Sequence, residues 1–411
     1  MNSLPNEIIL YILDKIENTY DILNFLSTNK FYYSFINKYK FNSSTKLSNY
    51  FIENKYIPKN VIGKLNIEIQ ENFDYEYLIE LIKLDINKLD LSNCDDISNV
   101  SMLGNCDELD LSYCTNISDF SMLGKVKKLN LSNTNISDVS MLGNCEELNL
   151  YNCKNIKDVS MLGNVKNLNL SSTKIIDVST LGNCDELNLF HCYNISDFTM
   201  LRNVKKLNLT CTNISDVSML ENCEELNLSA CKNIRDVSML RNVKKLNLSG
   251  TKIIDVSMLG NCEELNLSFC INITDVSMLG TVKILYICYT NISDVSTLGN
   301  CIELDLSYCE NIKDVSMLGN VKKLNLTCTK ILDVSMLGSV KKLNLRCTSI
   351  SDVSMLGNCE ELNLSACKNI RDFSMLGNVK KLKLRYTNIS DVSMLGNCEL
   401  DLSYCKNITD L

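Results

Sequence analysis

From Leu89 onward the apolar residues obey one rule, repeated at intervals of 19 or 20 residues. Each unit reads Leu-x-Leu-Ser-x-Cys/Thr, then Asn-Ile-x-Asp-Val-Ser-Met-Leu-Gly-Asn, and it recurs 17 times. The first leucines are Leu89, Leu109, Leu129, Leu148, Leu168, Leu187, Leu207, Leu226, Leu246, Leu265, Leu285, Leu304, Leu324, Leu343, Leu362, Leu382 and Leu400. Numbering from that leucine as zero, apolar side chains occupy −3, 0 and +2, while −1, +1 and +3 are polar. This alternation predicts a short strand with two distinct faces. After it the chain turns at Cys or Thr, and isoleucine, valine and leucine re-enter the core. About ten residues remain for the return leg, too few for an α-helix, so one 3₁₀ turn per unit is expected. The glycine after Met-Leu is expected to close that turn. A unit this short cannot bury its own apolar face, so the units must stack as rungs of a solenoid with parallel strands. Return leg and strand are nearly equal in width, which predicts an open, gently curved arc.

Two kinds of rung alternate. Those with cysteine at +5 run Cys-x-x-Ile, as in Cys231-Lys232-Asn233-Ile234; those with threonine run Thr-x-Ile, as in Thr212-Asn213-Ile214. Together they give a 39-residue double rung, whose phase slips at Leu324 and Leu343, both of threonine type. Seven of the 21 cysteines lie at −3, Cys398 at −2 of the last unit, which follows an interval of 18 residues, and nine at +5, mostly on every second rung. Rungs two apart are separated by about 9.6 Å, beyond the reach of a disulfide. These cysteines are therefore expected to be buried thiols acting as small apolar residues. Cys94/Cys114 and Cys328/Cys347 are exceptions, each pair one rung apart in one column. Charge alternates as well: Glu224-Glu225 and Glu263-Glu264 precede cysteine rungs, Lys205-Lys206 and Lys244-Lys245 threonine rungs. Opposite charges should face each other across neighbouring strands.

The chain has 411 residues, of which about 84 precede the repeats. A net charge of −8 gives no reason to expect nucleic acid or anionic membrane as a partner. No apolar run is long enough to span a bilayer, and the N-terminus lacks the basic region of a signal peptide. With 21 unpaired cysteines this points to a reducing, cytoplasmic setting. The Asn-x-Ser/Thr triplets are then by-products of the repeat.

Candidate chemistry is sparse. A ladder of aspartates (Asp119, Asp138, Asp158, Asp236, Asp314, with Asn99 first) could suggest calcium. Each precedes a Val-Ser-Met-Leu turn, however, and is expected to cap its free N–H groups. Asparagines at +1 (Asn130, Asn149, Asn188, Asn227, Asn266, Asn325, Asn363) are expected to bond one another along the sheet. His191 is the only histidine, expected on an exposed loop, so no Ser-His-Asp or Cys-His machinery can form. Neither phosphate loop nor metal-ligand cluster is apparent, and no enzyme, cofactor or metal is expected. A uniform surface carries little information, so partner-binding residues are sought where the pattern breaks: Tyr286, Tyr289, Arg346, Lys383, Arg385 and Tyr386. Tyrosine and arginine are favoured anchors in interfaces.

The N-terminal segment is not repetitive. Leu4-Pro5-Asn6-Glu7-Ile8 opens an amphipathic helix with proline in its first turn. Asp21-Ile22-Leu23 starts a second helix and Lys30–Tyr39 a third. Leu4-Pro5-x-Glu7-Ile8, Ile12-Leu13, Asp21-Ile22-Leu23 with Leu26-Ser27, and Phe31 resemble the F-box motif. Leu-x-Leu-x-x-Cys-x-x-Ile-x-Asp is similar to the cysteine-containing leucine-rich repeat of F-box/leucine-rich-repeat proteins. In that family the repeats are longer, with a true outer helix, and the short Ile-x-Asp-Val-Ser-x-Leu portion looks more like internalin-type repeats. The near-identical units rich in Asn, Ile and Lys resemble repeat proteins of amoebae and the giant DNA viruses that infect them. The resemblance implies an F-box-like helical domain (1–44), a linker with a degenerate capping repeat (45–84) and a leucine-rich-repeat solenoid (85–411). It also implies a Skp1-like adaptor as partner, held by Leu4, Pro5, Ile8, Ile12, Leu13, Ile22 and Leu23. The repeats would then present an unknown protein substrate to a cullin ubiquitin ligase. The alternative is a plain scaffold whose N-terminal helices only cap the solenoid. The last strand edge could support end-to-end self-association.

Overall fold

The computed structural model describes residues 41–42, 61–62, 65–68 and 86–408. The residues expected to hold the adaptor, Leu4, Pro5, Ile8, Ile12, Leu13, Ile22 and Leu23, lie outside the described residues. Phe41–Asn42 pairs in parallel with Val61–Ile62. Leu65–Glu68 pairs in parallel with Ile86–Asp90, aligning Ile67 with Leu89 after an irregularity at Leu65/Asn66.

The chain forms two compact units, residues 1–184 and 185–411. In the first, the strand Ile86–Asp90 is followed by Glu108–Asp110, Lys128–Asn130, Glu147–Asn149 and Asn167–Asn169, each paired in parallel with the next. In the second, twelve strands run from Glu186–Asn188 to Glu399–Asp401, again parallel and each beside its sequence neighbour. Register is kept leucine on leucine, as in Leu226↔Leu246 and Leu304↔Leu324.

One rung shows why this sequence adopts this shape. Cys223, Leu226 and Leu228 are buried, and so are Ile234, Val237 and Leu240 of the return leg. Between them the chain makes one 3₁₀ turn, Ser238–Asn242, and every complete described rung makes one of three or five residues. The sequence expectation for strand and turn is met. Three details differ from it.

The first concerns the turn after the strand. Position +4 has positive φ in all 17 rungs, from Asn93 (φ 61°) to Tyr404 (φ 64°), yet only Gly250 is a glycine. The N–H of +5 donates to the carbonyl of +2, as Cys231 N–H does to Leu228 O. The result is a β-turn with a left-handed third residue. Left-handed backbone also aims the +4 N–H at the next rung, for example Ala230 N–H to Ser249 O at 2.8 Å.

The second concerns glycine in the 3₁₀ turn. Its φ is ordinary, −60° at Gly260 and Gly377, so it is not there for conformational freedom. A Cβ on Gly299 would sit 2.2 Å from Met317 O, and one on Gly357 2.4 Å from Met375 O. Glycine lets the next turn pack directly against it, although Arg202, Glu221 and Arg241 stand at the same position in three rungs.

The third concerns asparagine at +1. These side chains do not mainly bond one another; their Oδ1 accepts the N–H of +3 in the same rung, as Asn227 does from Ser229 at 3.0 Å. The N–H groups of +2 and +4 serve the next rung, and strand alternation leaves that of +3 pointing elsewhere, so the local amide satisfies it. Only where +1 of the preceding rung is aspartate does the amide reach across, as in Asn130 Nδ2 to Asp110 Oδ2 (2.8 Å) and Asn325 Nδ2 to Asp305 Oδ2 (3.0 Å). A different asparagine forms the inter-rung ladder: Asn213 Nδ2 donates to Tyr193 O and Asn233 Nδ2 to Asn213 O, just before the core isoleucine.

The alternation of threonine and cysteine has a structural cause. Thr212 Oγ1 donates to Leu209 O at 2.8 Å, and Cys231 of the next rung donates its thiol to the same carbonyl at 3.0 Å. Thr251/Cys270 and Thr348/Cys367 repeat this arrangement. The −3 and +5 thiols are buried, as expected, except Cys405, which with Cys398 of the same last rung is half-buried, and among the described residues no cysteine is in a disulfide. Burial pushes Cys223 and Cys262 up to about 12, so both remain protonated. The extra residue of a cysteine rung closes a second turn, Ile273 N–H to Cys270 O at 3.1 Å.

Candidate interaction surface

The sheet surface of each rung is set by −2, −1, +1 and +3. At −1 and −2 charges pair between neighbouring rungs as the alternation predicts. Lys206–Glu186 (2.6 Å) and Lys245–Glu225 (3.0 Å) are examples at −1, Lys205–Asp185 (2.6 Å) at −2. All are solvent-exposed and contribute more to register than to stability. At +3 the usual serine is small and shielded rather than fully outward: Ser268, Ser307 and Ser365 are buried. A long residue there stands clear of the surface.

The aspartate ladder is a row of caps. Asp236 Oδ1 accepts the Ser238 N–H at 2.9 Å, Asp314 that of Ser316 at 2.8 Å, and Asn99 that of Ser101 at 3.0 Å without a charge. These bonds hold the carboxyls of Asp236 and Asp314 below the usual carboxylate value. Each carboxylate is thus committed to its own turn. Among the described residues no group of three or more His, Cys, Asp or Glu side chains could hold a metal ion.

The residues singled out by breaks in the pattern all lie in the second unit, on three columns. Tyr286 and Lys383 are at +1, Arg346 and Arg385 at +3, Tyr289 and Tyr386 at +4. Tyr286 is half-buried and donates its hydroxyl to Glu303 Oε1 at 3.3 Å; burial and then Glu303 push its phenol up to about 12. Arg385 pairs with Asp401 of the next rung, and Tyr386 stacks on Tyr404 with centroids 4.6 Å apart. Arg346 lies beside Cys328, where its charge bears on the thiol. These residues belong to rungs that begin at Leu285, Leu343 and Leu382, so they form a line along the sheet rather than one cluster.

The +4 column joins part of that line. Phe269, Tyr289 and Tyr308 stack on consecutive rungs, with centroids 4.7 and 4.1 Å apart and planes within 13°. Their exposures are 54%, 40% and 39%. The neighbouring Tyr289 and Cys328 push the Tyr308 phenol up to about 12. Five consecutive rungs carry a ring or a thiol at +4: Phe269, Tyr289, Tyr308, Cys328 and Cys347. The phase slip falls inside this row. Lys323 aligns with Lys342, and each turns away to its own partner, Glu303 at 2.6 Å and Glu361 at 2.7 Å.

Sequence reasoning picked out Tyr289 and Tyr386 but missed Phe269, Tyr308 and Tyr404. The signal was present: residue type at +4 varies without rule. His191 is half-buried at the same position, with φ 60°, and stacks on Phe190 at 3.8 Å rather than lying fully exposed. Also unanticipated is an exposed methionine on most turns, among them Met278, Met317, Met336, Met355, Met375 and Met394.

No family profile matches the chain. Nor does any curated protein. Solved structures do. The Leptospira interrogans leucine-rich-repeat protein LIC12759 matches with a TM-score of 0.55 and 20% identity, over 81% of this chain and 100% of that one. The structure of the TLR13–ssRNA13 complex gives 0.59 and 21%, over 83% of this chain and 60% of that one. The functional domain of InlJ from Listeria monocytogenes, which includes a cysteine ladder, gives 0.51 and 22%, over 69% of each chain. This is a leucine-rich-repeat fold. The short return leg, one 3₁₀ turn and no α-helix, makes it a slender version. Among the described residues no helix is long and apolar enough to cross a membrane.

Proposed function

We propose that the chain is a protein-interaction module whose repeats hold a protein partner along the sheet side of residues 269–404. The observation that carries this is the exposed row of stacked rings and the arginines beside it. Large apolar and cationic side chains in solvent bury little of themselves in the rung that bears them. Several also occupy left-handed backbone, an unfavourable place for a bulky residue. Elsewhere the sheet surface mostly repeats Asn, Ser, Lys and Glu, with scattered exposed rings such as Tyr113, Tyr151 and Tyr193. Tyrosine and arginine presented by a rigid sheet are the anchors that interfaces favour.

The resemblance of Leu4-Pro5-x-Glu7-Ile8 and the following helices to an F-box supports a finer reading. In it the module is the substrate-recognition subunit of a Skp1–cullin–F-box ubiquitin ligase in the cytoplasm. Leu4, Pro5, Ile8, Ile12, Leu13, Ile22 and Leu23 contact Skp1, and no catalytic residue is needed.

Co-purification of the full chain with Skp1 tests the reading, using wild type, a Leu4→Asp/Ile8→Asp variant and a Tyr289→Ser/Arg346→Glu/Arg385→Glu variant. Skp1 should be retained by wild type and by the repeat variant and lost from the N-terminal variant. Proteins retained through the repeats should show the reverse. A folded wild-type chain that ignores Skp1 leaves the scaffold reading; an unchanged set of partners for the repeat variant refutes the proposed surface.

A further inference from the structure

The phase slip places cysteines at +4 on two adjacent rungs; elsewhere Cys211 stands at +4 without a cysteine at +4 on either side. Cys328 and Cys347 both occupy +4, on rungs whose strands align Leu324 with Leu343. The ladder continues to the cysteines themselves, with Cys328 N–H donating to Arg346 O at 2.9 Å. Adjacent parallel strands lie about 4.8 Å apart, inside the range of Cα separations that a disulfide spans. Their φ values are 55° and 58°, so the two Cα–Cβ bonds leave the backbone in the same direction. Cys347 is exposed and Cys328 half-buried.

We infer that Cys328 and Cys347 form a dithiol oxidation site, which a low-molecular-weight disulfide such as oxidised glutathione converts to an intramolecular disulfide. The Cys347 thiolate, the more accessible, attacks one sulfur of the small disulfide and releases one thiol. The Cys328 thiolate then attacks the Cys347 sulfur and releases the second. One protein disulfide forms and one small disulfide is reduced; the two protons leave on the two released thiols. The Arg346 charge and the Tyr308 hydroxyl both favour the Cys328 thiolate, against the burial that pushes this thiol up. Closing the bond takes the Cys328 sulfur from Tyr308, its neighbour among the stacked rings.

Other thiols provide the contrast. Cys94 and Cys114 are also one rung apart, but both are buried, and burial pushes Cys114 up to about 12. Cys211 and Cys288 are part-exposed, but the residues at their positions on adjacent rungs are His191 and Ala230, and Ser268 and Ser307. Neither has a thiol partner in its own column. The inference does not depend on what the repeats bind.

The test uses the full native chain treated with oxidised glutathione, then alkylated and mapped by peptide mass spectrometry. Expected is loss of two of the 21 free thiols as a single Cys328–Cys347 cross-link. In the Cys347→Ser variant, Cys328 should carry glutathione or stay reduced, and no cross-link should form. The variant will fold, because Ala230 and Ala366 occupy the same position with the same backbone. Stable glutathione adducts on both cysteines of the native chain would overturn the inference, and so would reaction of Cys211 and Cys288 while the pair stays reduced.

Discussion

A single backbone angle decides how each rung hands over to the next. Position +4 is left-handed in every rung, and sixteen of the seventeen residues there are not glycine. Apart from Asn93, Asn133 and Asn152, whose residue type tolerates this conformation, each gives up roughly 1–2 kcal/mol relative to glycine. The one glycine offers a clean comparison: Gly250→Ala should destabilise the chain by about 1 kcal/mol, and Ala230→Gly should stabilise it by a similar amount. Urea denaturation of both variants checks this, and two shifts of the same sign would contradict it. The leucine, isoleucine and valine positions were legible from periodicity, because burial leaves no other choice. The +4 angle was not, because its usual sign, a column of glycine or asparagine, is absent. Strain tolerated at Phe269, Tyr289 and Tyr308 directs attention to what those rings do outside.

At the scale of the rung, the 3₁₀ turn and its aspartate cap could be read from Asp-Val-Ser-Met-Leu alone. Cap and turn are neighbours in sequence, and local hydrogen bonds need no knowledge of the fold. The glycine was placed correctly but explained wrongly. Its reason lies in Met317 O or Met375 O one rung away, a contact that sequence order does not reveal. Thr/Cys alternation was likewise visible as a pattern, while its cause, two donors sharing one carbonyl between rungs, needed coordinates. The caps carry a pH signature. A carboxylate that accepts N–H has its folded pKa below the unfolded value, 3.8, as at Asp236, Asp255 and Asp275. Its stabilising effect is therefore complete above that value and disappears as pH falls through the lower folded pKa values. Replacing all three by asparagine, which caps without titrating as Asn99 does, should make the acid-unfolding limb below about pH 4 shallower. Acid titrations followed by circular dichroism would show it. An unchanged limb would mean that the caps do not govern acid stability.

At the scale of the chain, regular rungs are interchangeable, and recognition belongs to the rungs that depart from the rule. The seventeen-fold period was legible because each rung uses the same apolar positions. The line of departures was only half legible, since Tyr289, Arg346 and the Cys328/Cys347 pair stand out in sequence while the stacking of Phe269 and Tyr308 on Tyr289 appears only once the rungs are assembled. Lys205 to Val243 is one cysteine–threonine pair of rungs, 39 residues, and its removal joins Val204 to Lys244 in the same local sequence. Nothing in the proposed surface is lost. The measurement that tests the account most directly is made on this deletion variant: thermal unfolding together with co-purification of its partners. The account predicts a single cooperative transition at a somewhat lower midpoint, as for a stack that has lost nearest-neighbour interfaces, with the partners of the full chain retained. A folded deletion variant that has lost its repeat-bound partner would place recognition in the regular rungs and contradict it.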